Sequence, residues 1–104
     1  MVVLLPTAAL AGDGLSGPQI TGALSARTLG YKDGQTQTFF ADGRTLYESD
    51  KAEWGRWRVD GDQYCSQWPP SDRWSCYGVT RDGQDIGFVA GDGSVAVGRY
   101  IDRQ

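Results

Sequence analysis

The sequence predicts an all-β domain, an antiparallel up-and-down barrel of about eight short strands with one short N-terminal helix. Five Asp-Gly pairs lie between aromatic or β-branched runs, and this dipeptide is the strongest short signal for a β-hairpin. The 15 glycines and 12% aromatic residues also suit strands joined by tight turns. All four tryptophans and both cysteines fall within residues 54–77, which we interpret as three antiparallel strands.

The N-terminus has the features of an export signal. Residues 2–11 form an apolar run that ends in Ala9-Leu10-Ala11, a small-residue cleavage pattern. The run is too short to cross a bilayer, and only Met1 stands where a basic segment is usual. We interpret residues 1–11 as a signal-peptide remnant and residues 12–104 as a single β-barrel domain, located in the periplasm or secreted. The alternative is an ordinary first strand.

One helix is predicted directly after this segment. Ser16 as N-cap with Gln19 three residues later forms a capping box, and Leu15 with Ile20 forms a hydrophobic staple. These signals predict a helix over about residues 17–25. A helix this short is marginal alone, so we expect its apolar face to dock on the rest of the fold.

After the helix, the spacing of apolar residues becomes that of strands and turns. The predicted strands, in simple up-and-down order, span residues 28–32, 35–40, 44–48, 53–59, 62–68, 73–81, 84–90 and 94–101. Turn chemistry explains the aspartates of the Asp-Gly pairs, and no run has the alternating ligands of a calcium loop. We therefore predict no metal and no cofactor.

The strand register follows if Asp60-Gly61, Asp82-Gly83 and Asp92-Gly93 are two-residue loops. One consistent apolar face results, and a slip of one residue would turn every large aromatic outward. The residues of this face are Gly55, Trp57, Val59, Tyr64, Trp68, Tyr77, Val79, Ile86, Phe88, Ala90, Val95 and Val97. In the first three strands, one face is predicted to hold Leu29, Tyr31, Phe40 and Tyr47, and the other Phe39 and Leu46.

The two cysteines predict one disulfide. Their even number, the export signal and their cross-strand position favour a bridge between Cys65 and Cys76. The alternative is a redox role, for which the chain lacks a C-x-x-C motif. We expect the bridge to be structural.

Charge and composition argue against several function classes. A net charge of −3 and a pI of about 4.7 provide no general attraction for nucleic acid or anionic lipid. The chain has no histidine, which removes the commonest general base and the commonest zinc ligand. We predict that the protein is not an enzyme. The alternative is a carboxylate-based hydrolase that uses Glu48 and Glu53.

The first candidate binding site is a Pro-Pro loop flanked by tryptophans. Trp68, Pro69, Pro70 and Trp74 would present rigid groups that lose little entropy when they contact a protein partner. The alternative is structural, with Trp68 in the core and Trp74 shielding the disulfide.

Arg99 is the second candidate. The predicted register points it inward, opposite Ile86, where it would receive a carboxylate. With Tyr64 and Tyr77 it would define an interior site for a small apolar or anionic ligand. The alternative is a solvated arginine on a bulged or frayed last strand.

Residues 55–68 have the pattern G-x-W-x-x-x-G-D-x-x-C-x-x-W, and Cys76-Tyr77 follows. This pattern resembles that of small uncharacterised exported proteins of Gram-negative bacteria, a likeness that covers residues 15–100. More distantly, the chain resembles the small periplasmic inhibitors of proteases and lysozyme, which are β-barrels that often hold one disulfide. That resemblance implies an inhibitor-like module.

These observations converge on an exported, monomeric barrel of lipocalin or avidin type. Its expected function is to bind a periplasmic or secreted protein, and a small-ligand site inside the barrel is the alternative. We expect neither a nucleic-acid partner nor stable insertion into a membrane.

Overall fold

A computed structural model describes residues 13–102. Within this range the chain forms one helix, α1 (Gly17–Leu24), and nine strands. The strands are β1 (Asp13–Gly14), β2 (Arg27–Tyr31), β3 (Thr36–Phe39), β4 (Arg44–Glu48), β5 (Ala52–Asp60), β6 (Gln63–Gln67), β7 (Trp74–Asp82), β8 (Asp85–Val89) and β9 (Val95–Tyr100). The predicted signal-peptide remnant, residues 1–11, lies outside the described residues.

Strands β2 to β9 form a closed antiparallel barrel. Each pairs with the next strand along the chain, and β9 returns to pair with β2. The short β1 adds to the second half of β7. Closure pairs the two outermost strands with each other, which is how small barrels avoid exposed edges. The predicted up-and-down barrel of eight strands with one short helix is therefore confirmed.

No helix among residues 13–102 is long and apolar enough to cross a bilayer.

The Asp-Gly turns fall into two kinds that differ in length. Gly61 and Gly83 have φ angles of 61° and 62° and open two-residue loops, as the first residue of a type II′ hairpin does. Gly34, Gly43 and Gly93 have φ angles of 93°, 96° and 89° and close three-residue loops. Because loop length sets strand register, the two kinds have different consequences for the predicted faces.

The two-residue loops begin one position later than predicted, which moves the register by two residues. Trp57 lies opposite Ser66 instead of Tyr64, for example. An even shift keeps every side chain on its face, so the interior positions predicted for β5 to β8 are retained. The predicted pairing of Cys65 with Cys76 is confirmed, and a disulfide joins them.

The three-residue loop before β9 moves that strand by one residue and exchanges its faces. Val95 and Val97 point outward, where they are 49% and 51% exposed, and Ala96 takes the inward position. Arg99 also points outward, and its Nη1 lies 3.1 Å from Oδ1 of Asp85. The predicted inward orientation of Val95, Val97 and Arg99 is wrong, because an odd shift reverses the sides of a strand.

The three-residue loop between β3 and β4 likewise exchanges the faces predicted for Phe39 and Phe40. The N–H of Phe40 donates to the carbonyl of Arg44 at 2.9 Å, so residues 41–43 form a three-residue loop. Phe39 therefore faces the interior and is fully buried. Phe40 stacks on Trp54 outside the barrel, with ring centroids 5.7 Å apart. The prediction that Phe40 shares the face of Tyr31 and Tyr47, and that Phe39 does not, is therefore wrong.

Helix α1 closes one end of the barrel. Ser16 caps the helix as predicted, and the N–H of Gly17 donates to Oδ1 of Asp62 at 2.7 Å. The Tyr100 hydroxyl donates to the carbonyl of Ala23 at 2.7 Å, which ties the helix to the last strand. The buried core that the helix completes consists of Ile20, Ala23, Leu24, Leu29, Phe39, Trp57, Tyr64, Val79, Ile86, Phe88 and Tyr100.

Candidate functional site in the barrel mouth

The barrel end opposite α1 opens into a cavity of about 500 Å³, which we call the mouth pocket. Its position follows from the strand direction, since β5 runs from Glu53 at the mouth to Val59 beside the helix. Small-molecule sites typically have volumes of about 300–1,000 Å³. The pocket is lined by Tyr31, Gln37, Tyr47, Glu53, Tyr64, Ser66, Trp68, Tyr77, Phe88 and Ala96.

The mouth pocket differs in kind from two grooves of similar size on the outer surface. One groove passes Gly30 and Ile101, and the other passes Trp54 and Pro69. The lining of the mouth pocket instead includes inward-facing side chains from each of the eight barrel strands. A ligand there would be surrounded on several sides, as ligands are in the mouths of other β-barrels.

A glycine makes room for one wall of the pocket. A Cβ built on Gly55 would lie 2.6 Å from Cε3 of Trp68, closer than carbon atoms approach in proteins. The Trp68 indole therefore lies against β5, and its Nε1 donates to Oγ of Ser66 at 3.2 Å. The indole also packs edge-on against Tyr47, with ring centroids 6.3 Å apart. These contacts hold Trp68 as a fixed part of the wall.

Polar side chains at the base of the pocket form a connected network. The Tyr31 hydroxyl donates to Oε1 of Gln37 at 2.8 Å. The Nε2 of Gln37 donates to Oγ1 of Thr45 at 3.0 Å and to the Tyr64 hydroxyl at 3.3 Å. The Thr45 hydroxyl donates to the carbonyl of Thr38 at 2.8 Å. Within residues 13–102, no buried side-chain nitrogen or oxygen lacks a hydrogen-bond partner.

Burial keeps two of these hydroxyls neutral. It is the main cause that raises the pKa of Tyr31, and repulsion from the ionised forms of Tyr64 and Tyr47 adds to it. Burial also raises the pKa of Tyr64, although hydrogen bonds from Ser66 and Gln37 oppose that shift. Tyr31 and Tyr64 are therefore hydrogen-bonding groups in the pocket and not acids or bases.

We expect these two tyrosines to make the fold sensitive to alkali. Above about pH 10 an unfolded tyrosine loses the proton that Tyr31 and Tyr64 retain in the folded state. The unfolded state then binds fewer protons, so stability is fully present below about pH 10 and falls as pH rises towards the folded pKa values. Ultraviolet titration should detect two of the five tyrosines ionising only as the protein unfolds. Ionisation of all five in the folded state, near pH 10, would contradict the buried network.

The structure separates the four residues of the predicted Pro-Pro loop site. Trp68 belongs to the pocket wall, and Pro69 and Pro70 are exposed on the loop beyond it. Trp74 lies on the outer face, half-buried, with the Arg58 guanidinium 4.0 Å from its ring centroid. Of these four residues, only Trp68 therefore contributes to the mouth pocket, and the other three lie outside it.

Two of the three residues predicted for an interior site are in the pocket. Tyr64 and Tyr77 line it, whereas Arg99 lies on the outer face and has no place in an interior site. The candidate acid pair is not assembled either. Glu53 pairs across the sheet with Tyr47 and lines the pocket, while Glu48 pairs with Ala52 and points to the other face.

Sequence reasoning placed Tyr31 and Tyr47 on one face of the first strands, but it missed Gln37 and Glu53 as lining residues of a pocket. Tyr47 and Glu53 occupy inward positions of β4 and β5, and Gln37 and Tyr31 occupy inward positions of β3 and β2. Their signal was the alternation of side chains along each strand, which the misplaced Phe39 and Phe40 obscured in the first strands. Comparison with family models, curated proteins and solved structures finds no match to this chain.

Proposed function

We propose that this chain is an exported, non-enzymatic barrel that binds a small molecule in the mouth pocket. The observation that supports this most directly is a cavity of about 500 Å³ with inward side chains from all eight strands. The Gln37 network and the Trp68 indole are held in place by contacts within the protein, so binding needs little rearrangement and loses little entropy. A non-enzymatic role is in keeping with the lack of histidine and with carboxylates that do not converge.

Export is part of this proposal. The disulfide between Cys65 and Cys76 is of a kind that persists in oxidising compartments such as the periplasm. The apolar run of residues 2–11 with its cleavage pattern supports the same location. We propose that the mature protein is periplasmic or secreted.

Ala96→Phe tests the ligand site because Ala96 is exposed at the rim and lines the pocket. The added ring would occupy the mouth without disturbing the buried core, so affinity should fall at least about tenfold for any compound that binds there. Binding is measured by tryptophan fluorescence with a panel of neutral, cationic and anionic small molecules. Val97→Phe is the matched control, since its neighbour Val97 is 51% exposed on the outer face.

A second candidate function is contact with a periplasmic or secreted protein at the outer surface of the same end. Trp54 is 50% exposed beside Pro69, and the Arg44 guanidinium lies 5.2 Å from the Trp54 ring centroid. Exposed tryptophan and arginine are the residue types that dominate protein interfaces. This candidate replaces the first if no compound binds the wild-type pocket and the immobilised wild-type barrel retains a partner protein that the Trp54→Ala variant does not retain.

A further inference from the structure

We infer that the mouth pocket selects a small organic cation with an alkylated ammonium group, an inference that rests on the proposed ligand site. Its basis is the set of groups that line the pocket. Six of them are aromatic, one is a carboxylate, and no lysine or arginine is among them. The aromatic members are Tyr31, Tyr47, Tyr64, Trp68, Tyr77 and Phe88.

The aromatic rings are arranged around the pocket and not in one stack. On one side, the Tyr47 centroid lies 6.2 Å from that of Tyr31 and 6.3 Å from that of Trp68. On the other, the Tyr64 centroid lies 6.2 Å from that of Tyr77 and 5.1 Å from that of Phe88. The interplanar angles in these pairs range from 30° to 78°. Six aromatic side chains therefore border one cavity, and a lining rich in aromatic rings is the kind of site that binds quaternary ammonium groups.

Glu53 provides the only charge in this lining. It sits at the mouth, directly opposite Tyr47 in the pairing of β4 and β5. Within residues 13–102, none of the ion pairs or side-chain hydrogen bonds uses its carboxylate. An unpaired carboxylate beside aromatic faces attracts cations and repels anions.

The position of Arg99 decides which charge the pocket favours in a ligand. Had Arg99 pointed inward, the pocket would have offered a guanidinium to a carboxylate. It points outward and is held by Asp85 instead. An anionic ligand would therefore meet Glu53 without a compensating cation, and a neutral one would gain no charge attraction from it. A cation gains from both the rings and the carboxylate.

The inference is tested by calorimetric titration with choline and with its carbon isostere, in which a quaternary carbon replaces the nitrogen. The two probes have the same shape and differ in charge. We expect choline to bind wild-type protein at least about tenfold more tightly than the neutral isostere. Vesicles of phosphatidylcholine form a second arm, because binding to the vesicles and not to free choline would identify a lipid headgroup as the source of the ammonium group.

Two matched variants locate the effect. Glu53→Gln should reduce the preference for choline to the share that the aromatic rings supply, with a much smaller change in affinity for the neutral isostere. Glu48→Gln removes the same charge from the opposite face of β4 and should change neither affinity. Both positions are exposed, so both variants should keep the wild-type melting temperature.

The remaining outcomes separate this inference from the proposed function. If both probes bind equally well and Ala96→Phe abolishes both, the pocket is a ligand site but not a cation site. If neither choline nor the vesicles bind, or if Glu48→Gln has the effect expected of Glu53→Gln, the cation inference is overturned. The neutral compounds of the fluorescence panel then decide the proposed function separately.

Discussion

Phe39→Ala is expected to lower the free energy of unfolding by about 3–5 kcal/mol. Phe39 is fully buried where the helix end of the core meets the base of the pocket. Its ring centroid lies 5.8 Å from that of Trp57, 5.7 Å from that of Tyr64 and 6.3 Å from that of Phe88. Three aromatic partners and a closed surrounding wall leave little scope for the cavity to collapse. For a domain of typical stability, this is a large fraction of the total.

Urea denaturation monitored by circular dichroism measures this loss, and Phe40→Ala is its control. Phe40 undergoes the same change of side chain one position away, but it lies half-buried on the outer face against Trp54. We expect that variant to lose only about 1 kcal/mol. Equal losses for both variants, or a larger loss for Phe40→Ala, would contradict the register of β3.

Replacing both cysteines by alanine is expected to cost about 3 kcal/mol of stability. The bridge joins residues separated by 11 positions, so its loss releases a loop of the unfolded chain that the disulfide otherwise restricts. The size of that loop, and not the strength of local contacts, sets the estimate. The Cys65 side chain is fully buried, so the alanine variant also loses some packing.

Thermal melts of wild-type protein with and without a reducing agent provide the comparison. Reduction should lower the melting temperature of the wild type by more than about 10 °C. The double variant should be insensitive to the reducing agent, and its melting temperature should lie near that of the reduced wild type. A wild-type protein whose melt is unchanged by a reductant that has demonstrably opened the disulfide would overturn this prediction.

Much of the fold could be predicted because its signals are local. The capping box at Ser16, the alternation along β5 to β8 and the pairing of Cys65 with Cys76 each depend on residues close in the chain. Each of the five Asp-Gly pairs that were predicted to form a hairpin turn does so, and each of their glycines has a positive φ angle. The dipeptide could not distinguish two-residue from three-residue loops, because a glycine with positive φ suits the first position of one and the last position of the other.

The errors that mattered for the site came from this ambiguity. One additional loop residue moved Arg99 from the interior to the surface and exchanged the faces of Phe39 and Phe40. The pocket itself depends on closure between β2 and β9, which brings Tyr31 beside residues far along the chain. Nothing in the neighbourhood of Glu53 indicates that it will meet those aromatic rings. Such a site is defined by long-range pairing, which local patterns do not encode.

Because helix α1 closes the other end of the barrel, the mouth pocket has a single opening. With Ile20 and Leu24 filling the far end, a molecule bound as proposed would have to leave by the path along which it entered. Its residence time would then be governed by the side chains at that single entrance, where Glu53 and Ala96 lie. On the proposed function, the barrel would therefore hold its ligand in a cavity with one opening and would not serve as a channel through the sheet.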